Sequence, residues 1–207
     1  WATFFEPPIV EQEVNKNQTT QEENNTSPSI EKTTVTNKTS RIDALNATKR
    51  IKIENNNIKG TISLRGALID DITFKNYKEK LEENKKVIFL NPKNSTEGYY
   101  IETGWASDGS SKINLPLDTT VWSVRGNNVL SPSNPVTLEW KNDQGLIFTK
   151  KFEIDEKFLF KITQEIQNTS NNTYQFYPYA QITRNLKPEV TPIYILHEGF
   201  LGVFGEE

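Results

Sequence analysis

The sequence predicts an all-β fold, an antiparallel sandwich preceded by a disordered arm, and three observations carry that reading. From Arg41 onward apolar residues recur with a period of two rather than 3.6. Turn signals separate these runs at short intervals, which suits neighbouring strands paired antiparallel as a meander. The polar stretch ahead of them lacks the apolar residues a core needs.

At the start, Trp1, Phe4 and Phe5 cluster ahead of Pro7-Pro8. Aromatic rings favour the headgroup level of a bilayer and prolines end helices. Residues 1–10 therefore read either as the exit of an upstream transmembrane helix or as an apolar end left by a cut. A chain that opens on Trp1 and holds no methionine reads as part of something longer. Residues 1–40 carry six acids and three lysines, a balance of −3, while the remainder is neutral. Between Glu11 and Ser40 the only sizeable apolar residues are Val14, Ile30 and Val35. Ordering a backbone costs roughly 1–2 kcal/mol per residue, which such a segment cannot offset. Residues 11–40 are expected to be a disordered linker with a reach on the order of 30 Å.

Strands are expected over 50–53, 59–64 and 68–74, with a helix over 77–86 as the one helical element. Further along, Val136, Leu138 and Trp140 share one face of 135–140. Leu146, Phe148, Phe152 and Ile154 share a parity in 145–154, interrupted by Lys150. Phe158, Phe160, Ile162 and Ile166 do so in 157–166. Turn residues at 142–145, 155–156 and 168–172 bound these three runs.

Composition narrows the chemistry. Only 34% of residues are hydrophobic and 25% are charged, which fits a chain folded in part. With no cysteine, disulfides, thiolate metal sites and cysteine nucleophiles are excluded. A single histidine leaves zinc sites and a Ser-His-Asp triad short of their usual donors. A net charge of −3 gives no field for nucleic acid, and no run of about 18 apolar residues spans a bilayer.

No spacing announces a reaction. The Asn-x-Ser/Thr triplets, such as Asn17-Gln18-Thr19 and Asn46-Ala47-Thr48, have the form of glycosylation acceptors, against the commoner reading that so Asn-rich a chain produces them by chance. Asp70-Asp71 is a carboxylate pair, but adjacent strand residues point to opposite faces and are expected not to share a site. His197-Glu198 is the candidate acid/base pair, against the commoner reading of a solvated or structurally bonded histidine. Trp105, Trp122 and Trp140 are candidates for stacking on sugar rings, although Trp140 lies on an apolar strand face and reads as core. Tyr174, Phe176, Tyr177 and Tyr179 read as packing around Pro178.

Particular wording goes further. The run Gly60-Thr61-Ile62-Ser63-Leu64-Arg65-Gly66-Ala67-Leu68-Ile69-Asp70-Asp71-Ile72 resembles the opening strands of the periplasmic domain of YidC-type membrane protein insertases. So do Tyr99-Tyr100 with Gly104-Trp105, and Val136-Thr137-Leu138-Glu139-Trp140 through Gly145-Leu146 to Thr163-Gln164. Tyr177-Pro178-Tyr179 and Tyr194-Ile195-Leu196-His197-Glu198-Gly199 resemble the family's later part. The likeness runs in order over residues 48–207, with the flavour of the alpha-proteobacterial branch.

The resemblance implies an antiparallel β-super-sandwich like that of galactose mutarotases, of which residues 41–207 hold the N-terminal portion, incomplete at the C-terminus. It favours the transmembrane-exit reading of residues 1–10. It implies a non-enzymatic domain at the periplasmic face of the inner membrane, part of an insertase that helps membrane proteins insert and fold. Implied partners are SecD–SecF, SecYEG and nascent membrane proteins. No catalytic, cofactor-binding or metal-binding residue is carried over, because the family's working groove lies among its membrane helices. The alternative is a sugar-binding or mutarotase-like domain using His197, Glu198 or Trp105, resting on fold analogy. Truncation of such a sandwich would leave the aromatics at 174–179 and the apolar run 193–196 uncovered.

Overall fold

The computed structural model describes residues 39–109, 112–186 and Gly202. The expected transmembrane exit, nearly all of the expected linker, and the 193–196 run lie outside the described residues.

Its order is α1 (Arg41–Asn46), β1 (Arg50–Glu54), β2 (Ile58–Ser63), β3 (Leu68–Lys78), β4 (Lys86–Leu90), β5 (Tyr99–Ser107), β6 (Ser123–Arg125), β7 (Val129–Leu130), β8 (Val136–Lys141), β9 (Leu146–Ile154), β10 (Phe160–Asn168) and β11 (Phe176–Arg184). Two sheets result. One runs β11-β5-β3-β2-β1-β7, with β4 also paired to β3, and the other runs β10-β9-β8-β6. All pairings between named strands are antiparallel except β1 with β7. The all-β sandwich is therefore the fold, and β8-β9-β10 form the expected meander.

The helix expected over 77–86 is corrected. β3 runs on to Lys78 and β4 begins at Lys86, with Glu79 N–H donating to the Lys85 carbonyl across the turn. The Lys80–Glu83 pair has helical spacing, but it is exposed and no apolar stripe backs it. The helix forms instead at Arg41–Asn46, where the Ser40 hydroxyl oxygen accepts from the Asp43 N–H and a capping pattern closes the first turn. Thr39 already belongs to the folded body, bridged to Ser95.

The core lies where the sheets face each other. Ile51, Ile53 and Ile62 of the large sheet meet Leu138, Leu146, Phe148 and Phe152 of the small one. β9 alternates buried and half-buried residues along its whole length, and Lys150 keeps that alternation at 2% exposure. What reads in the sequence as an interruption is a core position filled by a lysine. Its Nζ donates to the Thr103 carbonyl at 2.5 Å and lies 5.0 Å from the Trp122 ring and 5.8 Å from that of Trp105. Gln164 Nε2 makes a matching bond to the Gly104 carbonyl at 2.8 Å. Beyond Ile101, β5 has no register partner on β3, and it is on this stretch that two side chains from the small sheet donate to its carbonyls.

Burial pulls the Lys150 ammonium down to about 8, with the Glu102 charge opposing. Its folded pKa thus lies below the unfolded 10.5, and the unfolded chain binds more protons between those values. The desolvation cost is fully present below about pH 8 and is relieved as pH rises toward 10.5. Relative to Lys150→Met, the native chain should gain about 2–4 kcal/mol of unfolding free energy across that window. Urea titrations of both at pH 7.5 and 10.5 check this, and parallel curves would refute it.

Candidate functional site

Two concavities stand out among the described residues, and they differ in chemistry. The larger, about 530 Å³, has an aliphatic floor of Ile58, Ile69, Ile72 and Ile101. Its rim is aromatic: Phe74, Tyr77 and Phe89 from the large sheet, Phe158 and Phe160 from the small one. Phe74 anchors that rim, with ring centroids 5.5 Å from Tyr77, 5.2 Å from Phe89 and 5.7 Å from Phe158. Tyr77 is 55% exposed, Phe158 44% and Phe89 42%, so the rim faces outward. Tyr77 supplies the one titratable side chain of the lining. Sequence reasoning passed over this groove. The available signal was the consecutive apolar triplet Phe158-Leu159-Phe160, which a half-buried strand of strict period two does not need.

The smaller concavity, about 230 Å³, lies between α1 and the sheet and is lined by Arg50, Arg65, Asp70, Lys93, Asn94 and Asp118 among others. A bulge builds it. Thr61 pairs with Asp71 but Ile62 pairs with Ile69, so Asp70 is the extra residue of β3. The expectation that Asp70 and Asp71 cannot share a site is thereby corrected, because the bulge breaks the alternation it relied on. Arg50 ion-pairs with Asp70 and donates from Nε to Thr61 Oγ1 at 2.6 Å. The Thr61 hydroxyl donates to Asp71 Oδ2 at 2.7 Å, and Arg41 ion-pairs with Asp71. Burial pushes the Asp70 carboxyl up, the Arg50 charge opposing and the Asp71 charge adding. Gly60 permits the close approach, since a Cβ there would lie 1.9 Å from the Asp71 carbonyl oxygen.

Beside it, Lys93 bridges Asp118 at 2.9 Å and Glu102 at 3.3 Å. Burial pulls its ammonium down, but Asp118 and Glu102 outweigh it and hold the pKa above the usual lysine value. The Tyr179 hydroxyl donates to Glu102 at 3.1 Å, and burial with the Glu102 charge pushes the phenol up to about 12. These acids are each met by a cation or a hydroxyl. That is the pattern of structural ion pairs rather than of a nucleophile with its base.

The residues considered for sugar chemistry are not brought together. Trp105 is 6% exposed and stacks on the buried Trp122 at 6.4 Å, with Phe148 at its edge at 5.2 Å. Neither indole offers a free face. Trp140 packs on Phe148 at 5.6 Å as a core residue. Tyr174 and Phe176 pack against the core, whereas Tyr177 is half exposed. His197 and Glu198 lie outside the described residues. Among the described residues no group of three or more His, Asp or Glu is placed to hold a metal ion, and no helix is long and apolar enough to cross a membrane.

The family model for the YidC periplasmic domain matches residues 50–207. The chain is 44% identical over 208 residues to the membrane protein insertase YidC of Pelagibacter ubique, covering 100% of this chain and 37% of that protein. It is 40% identical to the YidC of Methylorubrum extorquens over 80% of this chain and 27% of that protein. With the YidC of Mesorhizobium japonicum the figures are 39%, 81% and 28%. The chain thus spans between about a quarter and just over a third of the length of these curated relatives.

Removing one partner of the Arg50–Asp70 pair strands a buried charge, which costs about 3–5 kcal/mol, whereas replacing both by apolar residues is often neutral. Arg50→Met is expected to lower unfolding free energy by that amount, and Arg50→Met with Asp70→Leu to recover most of it. Urea titration of the single and double variants reads the coupling. Additive losses would mean that the pair contributes no interaction of its own.

Proposed function

The chain belongs to the family of YidC periplasmic domains, and from that premise we propose that it is a non-enzymatic accessory domain of a membrane protein insertase. In this reading it sits at the periplasmic face of the bacterial inner membrane and assists insertion and folding of inner-membrane proteins. Residues 1–10 mark the exit of a transmembrane helix, residues 11–40 form the tether, whose last two residues, Thr39 and Ser40, join the folded body, and residues 41–207 form the domain. Its contacts are Sec translocon components, SecD–SecF and SecYEG, or emerging polypeptide. The family match over residues 50–207 carries the reading. The chemistry of the two concavities supports it: one is apolar, and in the other the carboxylates are occupied by Arg41, Arg50 and Lys93. The sugar-processing alternative needs an acid and a base on opposite sides of one ring. Trp105, its stacking candidate, is enclosed by Trp122 and Phe148.

Photo-crosslinkers at exposed positions of both sheets test the proposal in the full-length membrane protein. Lys161 and Glu165 of β10 and Tyr177 and Gln181 of β11 are suitable. During synthesis of an inner-membrane protein, at least one position should yield adducts with a translocon component or with the nascent chain. A scan without adducts to either would overturn the accessory-domain reading. Purified protein should show no aldose mutarotation, and a rate above background that His197→Ala abolishes would establish the sugar reading instead.

A further inference from the structure

The aromatic rim of the groove continues into the tips of two hairpins, and we propose that these tips seat the domain on an anionic phospholipid surface. One tip is the turn between β3 and β4, where Leu81 is 96% exposed. The other is the turn between β9 and β10, where Leu159 is 69% exposed beside the half-exposed Phe158. Ring contact joins the two, since Tyr77 lies 6.5 Å from Phe158. The second tip is also fixed from the β1–β2 turn. There Asn55 Nδ2 donates to the Asp155 and Lys157 carbonyls, each at 2.9 Å, and Asn57 Nδ2 donates to the Glu156 carbonyl at 2.8 Å. Leucine and aromatic side chains are thus presented outward on a held frame.

Charge selects the occupant. Residues 75–86 carry five lysines and three glutamates, a balance of +2, in a chain whose net charge is −3. The neighbouring turns, 52–59 and 153–161, stand at +1 and −1 and cancel. Interfacial binding pairs these same two features: apolar and aromatic side chains enter the headgroup boundary, and lysines meet anionic lipid. A polypeptide lying in the groove would fill its apolar lining but leave Leu81 and the lysines unused. A second copy of the chain would set one positive patch against another. The inference rests on the accessory-domain reading only for the nearness of a membrane. It concerns positions other than those of β10 and β11 offered to the translocon, so its failure would leave adducts from those positions standing.

The test uses the full-length protein in lipid nanodiscs, with one fluorophore-bearing cysteine at a time, since this chain supplies none of its own. Labels go on Leu81→Cys and Leu159→Cys, with Leu117→Cys as the control, an exposed residue next to Asp118 of the polar cleft. Nitroxide-bearing phospholipid reports which labels reach the bilayer. In discs containing phosphatidylglycerol, the labels at 81 and 159 should be quenched about fivefold more than the control. Adding Lys78→Glu with Lys86→Glu should return the label at 81 to the control level, because the patch then repels anionic lipid. Equal quenching at all three positions, or quenching undiminished in discs of phosphatidylcholine alone, would overturn the proposal. So would a photo-crosslinker at Leu81 that captures polypeptide and no lipid, which would assign the patch to a protein partner.

Discussion

A four-stranded sheet cannot roof a seven-stranded one. Strands lie about 4.8 Å apart, so the small sheet covers about 19 Å of a sheet whose main path of six strands is about 29 Å wide. Where the two overlap, the interior closes around Ile53, Leu138, Phe148 and Phe152. Where they do not, apolar residues of β3, β4 and β5 line an open groove. The mismatch also sets the position of Lys150. Beyond Ile101, β5 keeps its pairing with β11 but not with β3, and there Lys150 and Gln164 reach across from the small sheet to the carbonyls of Thr103 and Gly104.

The period of two was enough to read the sandwich and the β8-β9-β10 meander from the sequence, because those strands are buried on one face only. β9 shows the alternation from Leu146 to Ile154 without a break. Strands β5 and β11 were harder to read. In β11 the outer position on the sheet leaves most residues exposed, so its aromatics look like loop packing rather than a strand. In β5 Thr103, Gly104 and Trp105 are buried in succession, so the alternation that marks a half-buried strand is lost. The helix expected over 77–86 does not form, because β3 runs on to Lys78 and β4 begins at Lys86, which leaves only a turn between them. The real helix at Arg41–Asn46 is short and marked mainly by its cap.

The candidate site was less legible still. A groove that arises from sheet mismatch is a property of tertiary arrangement, and no local pattern encodes it. Its residues, Phe74 and Ile101 among them, look like ordinary strand positions. Conversely, the residues that did stand out for chemistry, Trp105 and Trp122, stand out because large aromatic side chains fill cores. Family resemblance reached the functional class by a different route, through wording that neither periodicity nor composition explains.

The buried charges make the last connection, between register and fold. β3 carries two adjacent carboxylates in a strand whose neighbours Leu68, Ile69 and Ile72 are all buried. Sliding β3 by one residue against β2 would exchange the faces of these side chains and turn a carboxylate toward the apolar interior. In the observed register the bulge at Asp70 turns both acids toward Arg50, Arg41 and Thr61, on the side where α1 sits. The ion pairs add little net stability in a buried setting, because desolvating both partners offsets most of their attraction. Their effect is felt in the alternatives, since any slipped register would leave Asp70 or Asp71 desolvated without its arginine. β1, β2 and β3 are thus held in a single alignment, and that alignment sets where Ile72 and Phe74 emerge. The position of the apolar groove therefore traces back to two aspartates on the opposite side of the sheet.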